Sequence, residues 1–187
     1  MKLYLIRHGE SETNLAGRYT GWAQVNLTPK GIEDAKGIRP ILEGIKFDKI
    51  YSSDLIRAKN TAETAIPGCV YEETPLLREI NVGSLALKPF LASDAPERKL
   101  MTDGFKAWDG ETNSEFRARA TEFLDKVKTL DCENVAAFTH AGFLRTTLSI
   151  IFSANVNTMN IVCSNCAIVI LELKDDRWML RELINPQ

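Results

Sequence analysis

Lys2-Leu3-Tyr4-Leu5-Ile6-Arg7-His8-Gly9-Glu10 sets four apolar residues in an unbroken run, then halts at an arginine and a histidine. An apolar run without polar alternation reads as a strand covered on both faces, the habit of a parallel sheet. The same device recurs twice. Lys49-Ile50-Tyr51-Ser52 passes into Ser53-Asp54, with Arg57 just beyond. Val135-Ala136-Ala137-Phe138 passes into Thr139-His140-Ala141-Gly142. Working outward, helical signals fall between these strands. Thr28 caps and Pro29 opens an expected helix over 29–43. Asp54 is expected to cap a helix over 55–65, stopped by Pro67-Gly68. A short third strand is expected over 69–72. From Ser114, Phe116, Ala120, Phe123, Leu124, Val127 and Leu130 recur at helical spacing. A helix over 143–152 and strands over 166–173 and 178–184, turning at Asp175-Asp176, complete the pattern. Strands alternating with helices predict the α/β class: a three-layer α/β/α sandwich around a mainly parallel central sheet. Residues 1–187 read as one domain. Residues 83–110, broken by Pro89, Pro96 and several charges, read as a short lid or insertion.

Composition narrows the function classes. Hydrophobic residues make up 44% of the 187 positions and charged residues 26%, which fits a folded globular chain rather than a disordered one. The formal net charge of -2 gives no basic footprint for nucleic acid, so an anionic ligand would be held by a few local cations. No apolar stretch approaches the ~20 residues of a membrane helix, so no membrane partner is expected. The N-terminal run is too short for a signal peptide. The four cysteines, Cys69, Cys132, Cys163 and Cys166, are scattered, which suits reduced thiols in a cytoplasmic protein. Cys163-Ser164-Asn165-Cys166 runs into a β-branched strand and has no second cysteine pair, so it reads as structural, and no metal is expected.

In open α/β sheets, ligands bind beyond the carboxyl ends of the strands. The chain has only two histidines, His8 and His140, and each stands at such an end. One histidine alone could be an ordinary satisfied imidazole; the pair at matching positions points to a shared site.

At this point the sequence resembles the histidine phosphatase superfamily, which includes cofactor-dependent phosphoglycerate mutases and many small phosphatases. The resemblance covers most of the chain. It rests on Arg7-His8-Gly9-Glu10, Ser11, Thr13-Asn14, Gly17-Arg18, Thr20-Gly21 and Leu27-Thr28 with Gly31. It continues through Tyr51-Ser52-Ser53-Asp54 with Arg57, Ala58 and Thr61-Ala62, then Leu77-Arg78-Glu79-Ile80 with Gly83. Gly110-Glu111-Thr112 and Thr139-His140-Ala141-Gly142 complete it. The ordered set is specific where Arg-His-Gly alone is weak.

The resemblance implies a metal-independent, cofactor-free hydrolysis of a small phosphate monoester through a phosphohistidine on His8. A neutral imidazole near its ordinary pKa of about 6.5 is an available nucleophile. Its other nitrogen is expected to bond a backbone carbonyl just after His8. Arg7 and Arg57 supply planar cationic forks for phosphate oxygens. His140 is expected to donate to the same oxygens and to titrate as one coupled pair with His8. Glu79 is implied as the acid that protonates the leaving oxygen and then the base that activates water. Asn14, Thr20 and Gly21 are implied as further phosphate contacts, the last two through backbone N–H groups. Glu10 and Ser11 are expected to support the loop, and Trp22 to line the site.

Two departures bear on specificity. Many small phosphatases of the superfamily follow the acid with a glycine and a Trp-Glu-Gly-like element, where this chain reads Val82-Gly83-Ser84-Leu85-Ala86-Leu87. The mutases carry a longer insertion with clustered arginines, whereas Lys88, Arg98, Lys99 and Lys106 here are scattered among Asp94, Glu97, Asp103 and Asp109. The balance favours a phosphatase. The alternatives are a phosphoglycerate mutase, an alpha-ribazole phosphatase of cobalamin biosynthesis, a non-catalytic phosphate-binding module, and a metal or redox protein built on Cys163 and Cys166. The expected partner is a small phosphorylated metabolite, and the oligomeric state is left open.

Overall fold

The computed structural model describes residues 1–153 and 160–186. β1 (Lys2–Arg7) is followed by the single-turn α1 (Glu12–Leu15), then α2 (Pro29–Gly37), α3 (Arg39–Leu42) and β2 (Lys49–Ser52). Next come α4 (Ile56–Ala65), β3 (Glu72–Glu73), α5 (Asn113–Lys128) and β4 (Asn134–Thr139). α6 (Ala141–Phe152), β5 (Ile168–Lys174) and β6 (Arg177–Ile184) follow. Between β3 and α5 lie only short 3-10 turns, at Pro75–Leu77, Gly83–Leu85, Pro96–Asp103 and Lys106–Trp108.

The strands form one sheet in the order β3-β2-β4-β1-β5-β6. β3, β2, β4 and β1 are mutually parallel, and β5 joins β1 antiparallel. The expected three-layer arrangement is found. On one face Leu3, Leu5, Val135, Ala137, Val169 and Leu171 pack against Phe116, Phe123 and Leu124 of α5 and Phe143, Leu144 and Leu148 of α6. On the other, Tyr4, Ile6, Ala136, Phe138 and Ile168 pack against Ala35, Ile38 and Leu42 of the α2–α3 region and Ala58, Ala62 and Ala65 of α4. Alternate residues of β1 and β4 therefore serve opposite cores, which is why each reads as a continuous apolar run. Asp175 and Asp176 both adopt positive φ, 49° and 59°, as a right-twisted hairpin turn demands.

Four local expectations need correction. The helix expected over 29–43 is two helices, because Pro40 has no N–H for the Lys36 carbonyl and its ring crowds that turn. Asp54 does not cap α4. Its carboxylate is taken by Arg78, Leu55 occupies the cap position, and the Gln24 side chain accepts from the Ile56 N–H instead. The third strand is the dipeptide Glu72–Glu73 rather than 69–72. The helix expected over 143–152 starts two residues earlier, at Ala141, directly from His140.

The topology sets up a crevice. After β1 the chain goes to helices on one face; after β4, its parallel neighbour, it goes to α6 on the other. Neighbouring parallel strands that diverge in this way open a cleft at their carboxyl ends. Arg7 and Thr139 are register partners, so His8 and His140 emerge at one level on either side of that cleft.

Candidate active site

His8 is only 4% exposed, His140 is fully buried, and their ring centroids lie 5.1 Å apart. His8 Nδ1 lies 2.7 Å from the Gly9 carbonyl, and Arg57 Nε–H donates to His8 Nε2 at 3.2 Å. A nitrogen that accepts from a guanidinium carries no proton, so Nδ1 is the protonated one and donates to Gly9. The ring is therefore neutral, with its Nε2 lone pair facing the arginine. Burial pushes the His8 pKa well below its ordinary 6.5, and the charges of Arg57 and Arg7 push it further, against the Gly9 bond that favours the proton. The bond expected from the loop after His8 is the one found.

The support of this ring comes from α4. Thr61 Oγ1 accepts from the Gly9 N–H at 3.0 Å and donates to the Arg57 carbonyl at 2.7 Å. Arg57 and Thr61 stand four residues apart on one helical face, so a single helix holds both sides of the imidazole. Arg57, 1% exposed, also donates to the carbonyls of Gly21 and Ala23, at 2.9 and 3.0 Å. Its fork is thus committed to the backbone of the 20–23 loop as well as to His8. Burial lowers its pKa to about 10, with Glu79 opposing and Arg7 adding to the fall, and it stays cationic at neutral pH.

Arg7 Nη1 donates to the Cys163 carbonyl at 2.6 Å, while its buried Nε has no partner among the described residues. His140 Nε2 lies 2.9 Å from Ser53 Oγ at the end of β2, and its buried Nδ1 also has no partner among the described residues. Burial lowers the His140 pKa well below 6.5, and Arg57, His8 and Arg7 lower it further. Two neutral imidazoles therefore sit beside two cationic guanidinium groups, in a cleft with polar N–H capacity unspent.

Glu79 closes the ring of groups. It stands in an irregular stretch, and its carboxylate accepts from its neighbour Ile80 N–H at 2.9 Å and from Gly142 N–H of α6 at 3.1 Å. A carboxylate suits the partial positive charge of a helix N-terminus. A Cβ at Gly142 would come within 2.1 Å of Glu79 Oε1, so that glycine makes the approach possible. Trp22 Nε1 donates to the Glu79 carbonyl at 2.8 Å, and the Arg78 guanidinium lies 4.6 Å over the Trp22 ring. Trp22 thus packs beside the backbone of Glu79.

Asn14 Oδ1 accepts from the Ser11 N–H and from Asn165 Nδ2, both at 3.2 Å, and its own NH₂ has no partner among the described residues. Thr20 bonds Thr13 through its hydroxyl at 2.5 Å, and Gly21, at φ 51°, passes so close to Val82 that a Cβ would meet its side chain at 2.6 Å. Ser11 caps α1, and Glu10 takes the Thr28 hydroxyl at 2.7 Å, so both brace the loop. Thr61, Ser53 and Asn165 had no role assigned from sequence. Its place one helical turn past Arg57 and its part in the family pattern were the available signals for Thr61. Cys163 and Cys166 lie in opposite cores, and burial pushes Cys166 up to about 12, so it is an unreactive thiol at neutral pH.

The model of the histidine phosphatase superfamily (branch 1) matches residues 3–186. The adenosylcobalamin/alpha-ribazole phosphatase of Salmonella typhimurium is 31% identical over 160 residues, 77% of this chain and 76% of that protein. A 2,3-bisphosphoglycerate-dependent phosphoglycerate mutase of Lactobacillus acidophilus is 48% identical, but over 67 residues only, 35% of this chain and 29% of that one. The Entamoeba histolytica phosphoserine phosphatase, solved with 3-phosphoglyceric acid, superposes with a TM-score of 0.85 at 25% identity, covering 100% of this chain and 98% of its own. With a family match that spans nearly the whole sequence, the chain belongs to the histidine phosphatase superfamily.

Proposed function

We propose that the protein hydrolyses a small phosphate monoester by way of a phosphohistidine on His8, without a metal or cofactor. The observation that carries this reading is the His8 ring itself: neutral, fixed by the Gly9 carbonyl at 2.7 Å, with its Nε2 lone pair facing the cleft beside Arg57. Phosphoryl transfer asks mainly for an in-line nucleophile and charge around the equatorial oxygens. In the first step Nε2 attacks phosphorus, Arg57 Nε–H turns from Nε2 to a phosphate oxygen, and the ester P–O bond breaks. Glu79, protonated in the substrate complex where the negative charge of the phosphate favours its acid form, gives its proton to the departing oxygen. In the second step Glu79 takes a proton from water, the water oxygen attacks phosphorus, and the P–N bond breaks to release inorganic phosphate. Arg7, His140, the Asn14 amide and the N–H groups of Thr20 and Gly21 hold the phosphate oxygens. The chain works as one domain, with residues 83–110 as a lid. That segment is tied to the site loop by the bonds Tyr19 N–H to Lys88 O and Leu87 N–H to Tyr19 O, at 3.0 and 2.8 Å.

Phosphatase is preferred to mutase because the relative matched over three quarters of both chains is a phosphatase, while the mutase match covers 35% of this chain. A small phosphorylated metabolite in the cytoplasm is the substrate we propose, in keeping with four unbridged cysteines. The test is a phosphate-release screen with alpha-ribazole 5′-phosphate, phosphoserine, 3-phosphoglycerate and other monoesters, run with EDTA and repeated on His8→Ala. Release is expected to survive the chelator and to vanish with the histidine, and acid-labile phosphate should be trapped on the wild type alone. Activity lost to EDTA, or retained in His8→Ala, would overturn the reading.

A further inference from the structure

Glu79 has no regular secondary structure of its own to hold it. Its backbone is held by a charged pair, Glu111 just before α5 and Arg119 in the second turn of α5. Arg119 donates through Nε and Nη2 to the Glu111 carboxylate, at 2.9 and 2.8 Å. The remaining donors go to one stretch of backbone: Nη1 to the carbonyls of Leu76 and Arg78 at 2.9 and 2.8 Å, and Nη2 to the carbonyl of Glu79 itself at 3.2 Å. Glu111 grips the other side of the acid. Its Oε2 accepts from the Asn81 N–H at 2.8 Å, and its own N–H donates to the Asn81 carbonyl at 2.9 Å. The guanidinium lies 4.8 Å over the Phe116 ring, and the two charged side chains are only 13% and 14% exposed.

A largely buried ion pair is weak evidence for stability, since two apolar residues would often serve as well. This pair does what apolar residues cannot: it fixes backbone carbonyls and an N–H on both sides of one carboxylate. Neither Arg119 nor Glu111 bonds His8, His140, Arg7 or Arg57, so neither touches the reacting atoms. Accepting Glu79 as the acid of the reaction proposed above, we infer that Arg119, locked by Glu111, is its positioning residue. The pair sets where the Glu79 carboxyl meets the leaving oxygen, and so decides how poor a leaving group the enzyme accepts.

The inference separates esters by their need for a proton. A nitrophenolate departs without help, whereas an alkoxide requires an acid. The test compares kcat/KM for p-nitrophenyl phosphate and for the fastest alkyl phosphate of the release screen, in wild type, Glu79→Gln, Arg119→Lys and Glu111→Gln. General acid catalysis contributes at least about a hundredfold, and displacement of a catalytic group by about an ångström can cost as much. Arg119→Lys and Glu111→Gln should each lose tenfold or more on the alkyl ester (roughly) and about threefold or less on the aryl ester, in the pattern of Glu79→Gln. Equal losses on both esters, or no loss, in the two clamp variants beside a selective loss in Glu79→Gln would overturn the inference and leave the acid assignment standing. Equal losses in Glu79→Gln would instead overturn that assignment, and the inference with it. Thermal melts accompany each variant. If Arg119→Lys does not fold, Glu111→Gln, which keeps the shape and one acceptor, decides alone.

Discussion

At the scale of single residues, the site depends on backbone atoms that only small residues leave open. Gly142 is the clearest case, because outside its own helix the three atoms nearest a Cβ there all belong to the Glu79 carboxyl, with Oε1 at 2.1 Å. The carboxylate is the far end of a flexible side chain, so it moves and the helix does not. Alanine gains about 1 kcal/mol over glycine in a helix, and loss of the Gly142–Glu79 bond costs about 1 kcal/mol. Gly142→Ala is therefore expected to melt within a degree or two of wild type (~) while losing roughly tenfold or more in kcat/KM on alkyl phosphates. A variant that is fully active, or one that fails to fold, contradicts this account of the glycine. The same scale explains what sequence reading missed about Arg57. Its position at the start of a helix advertised a functional arginine, but its bonds reach Gly21 O and Ala23 O, 36 and 34 residues away, and His8 Nε2, 49 residues away, which no local pattern reveals.

At the scale of elements, two glycines of α2 should respond in opposite directions. The first turn of α2 crosses the chain leaving β1 at backbone contact: a Cβ on Gly31 would lie 2.0 Å from the Glu10 carbonyl oxygen and 2.7 Å from its nitrogen. Backbone cannot step aside as a side chain can, so Gly31→Ala should cost about 1–3 kcal/mol or more and disturb the loop that holds His8. Gly37, with nothing within 4 Å of its added Cβ, should gain about 0.5–1 kcal/mol as alanine through loss of unfolded-state freedom. Thermal melts should thus separate the two variants by several degrees (roughly 2–4 °C per kcal/mol), with activity reduced only in Gly31→Ala. Elements with a strong signal were legible in advance. β1, β2 and β4 showed as apolar runs with polar ends, and α5 showed through its helical spacing, so both histidines could be placed at one sheet edge. Elements decided by distant partners were not. Asp54 looked like a cap because capping is its commonest local use, yet Arg78 takes its carboxylate. Glu79 was reachable only through the family resemblance, since its place is set by Arg119 and Glu111 from another part of the chain.

At the scale of the whole molecule, the buried imidazoles couple stability to pH and to anions. Both histidines have folded pKa values well below 6.5, because burial and the Arg57 and Arg7 charges oppose the proton. Their unfolded value is about 6.5, so below it the unfolded chain binds more protons than the folded one. The stability they contribute is complete above about pH 6.5 and declines as pH falls, by up to about 1.4 kcal/mol per pH unit for each histidine. Asp48, Asp54, Glu72 and Glu172 have pKa values lowered from 3.8 or 4.5 by their partners, so their contribution is lost only at lower pH. The melting temperature should therefore fall between about pH 7.5 and 5.5, and fall less steeply in His140→Asn. An anion in the cleft reverses the sign of the local field and favours protonation of His140, whose Nδ1 is unspent. Sulfate keeps its charge over this range. It should raise the melting temperature of the wild type more at the acid end than at the neutral end, and that difference should be smaller in His140→Asn. The chain passes its sequence pI of about 5.8 within this interval, so general anion attraction also rises at the acid end, and the His140→Asn variant carries that background without the second imidazole. A wild-type melting temperature that is flat across the interval, or a sulfate effect independent of pH, would show that the two imidazoles do not share one anion-linked proton equilibrium.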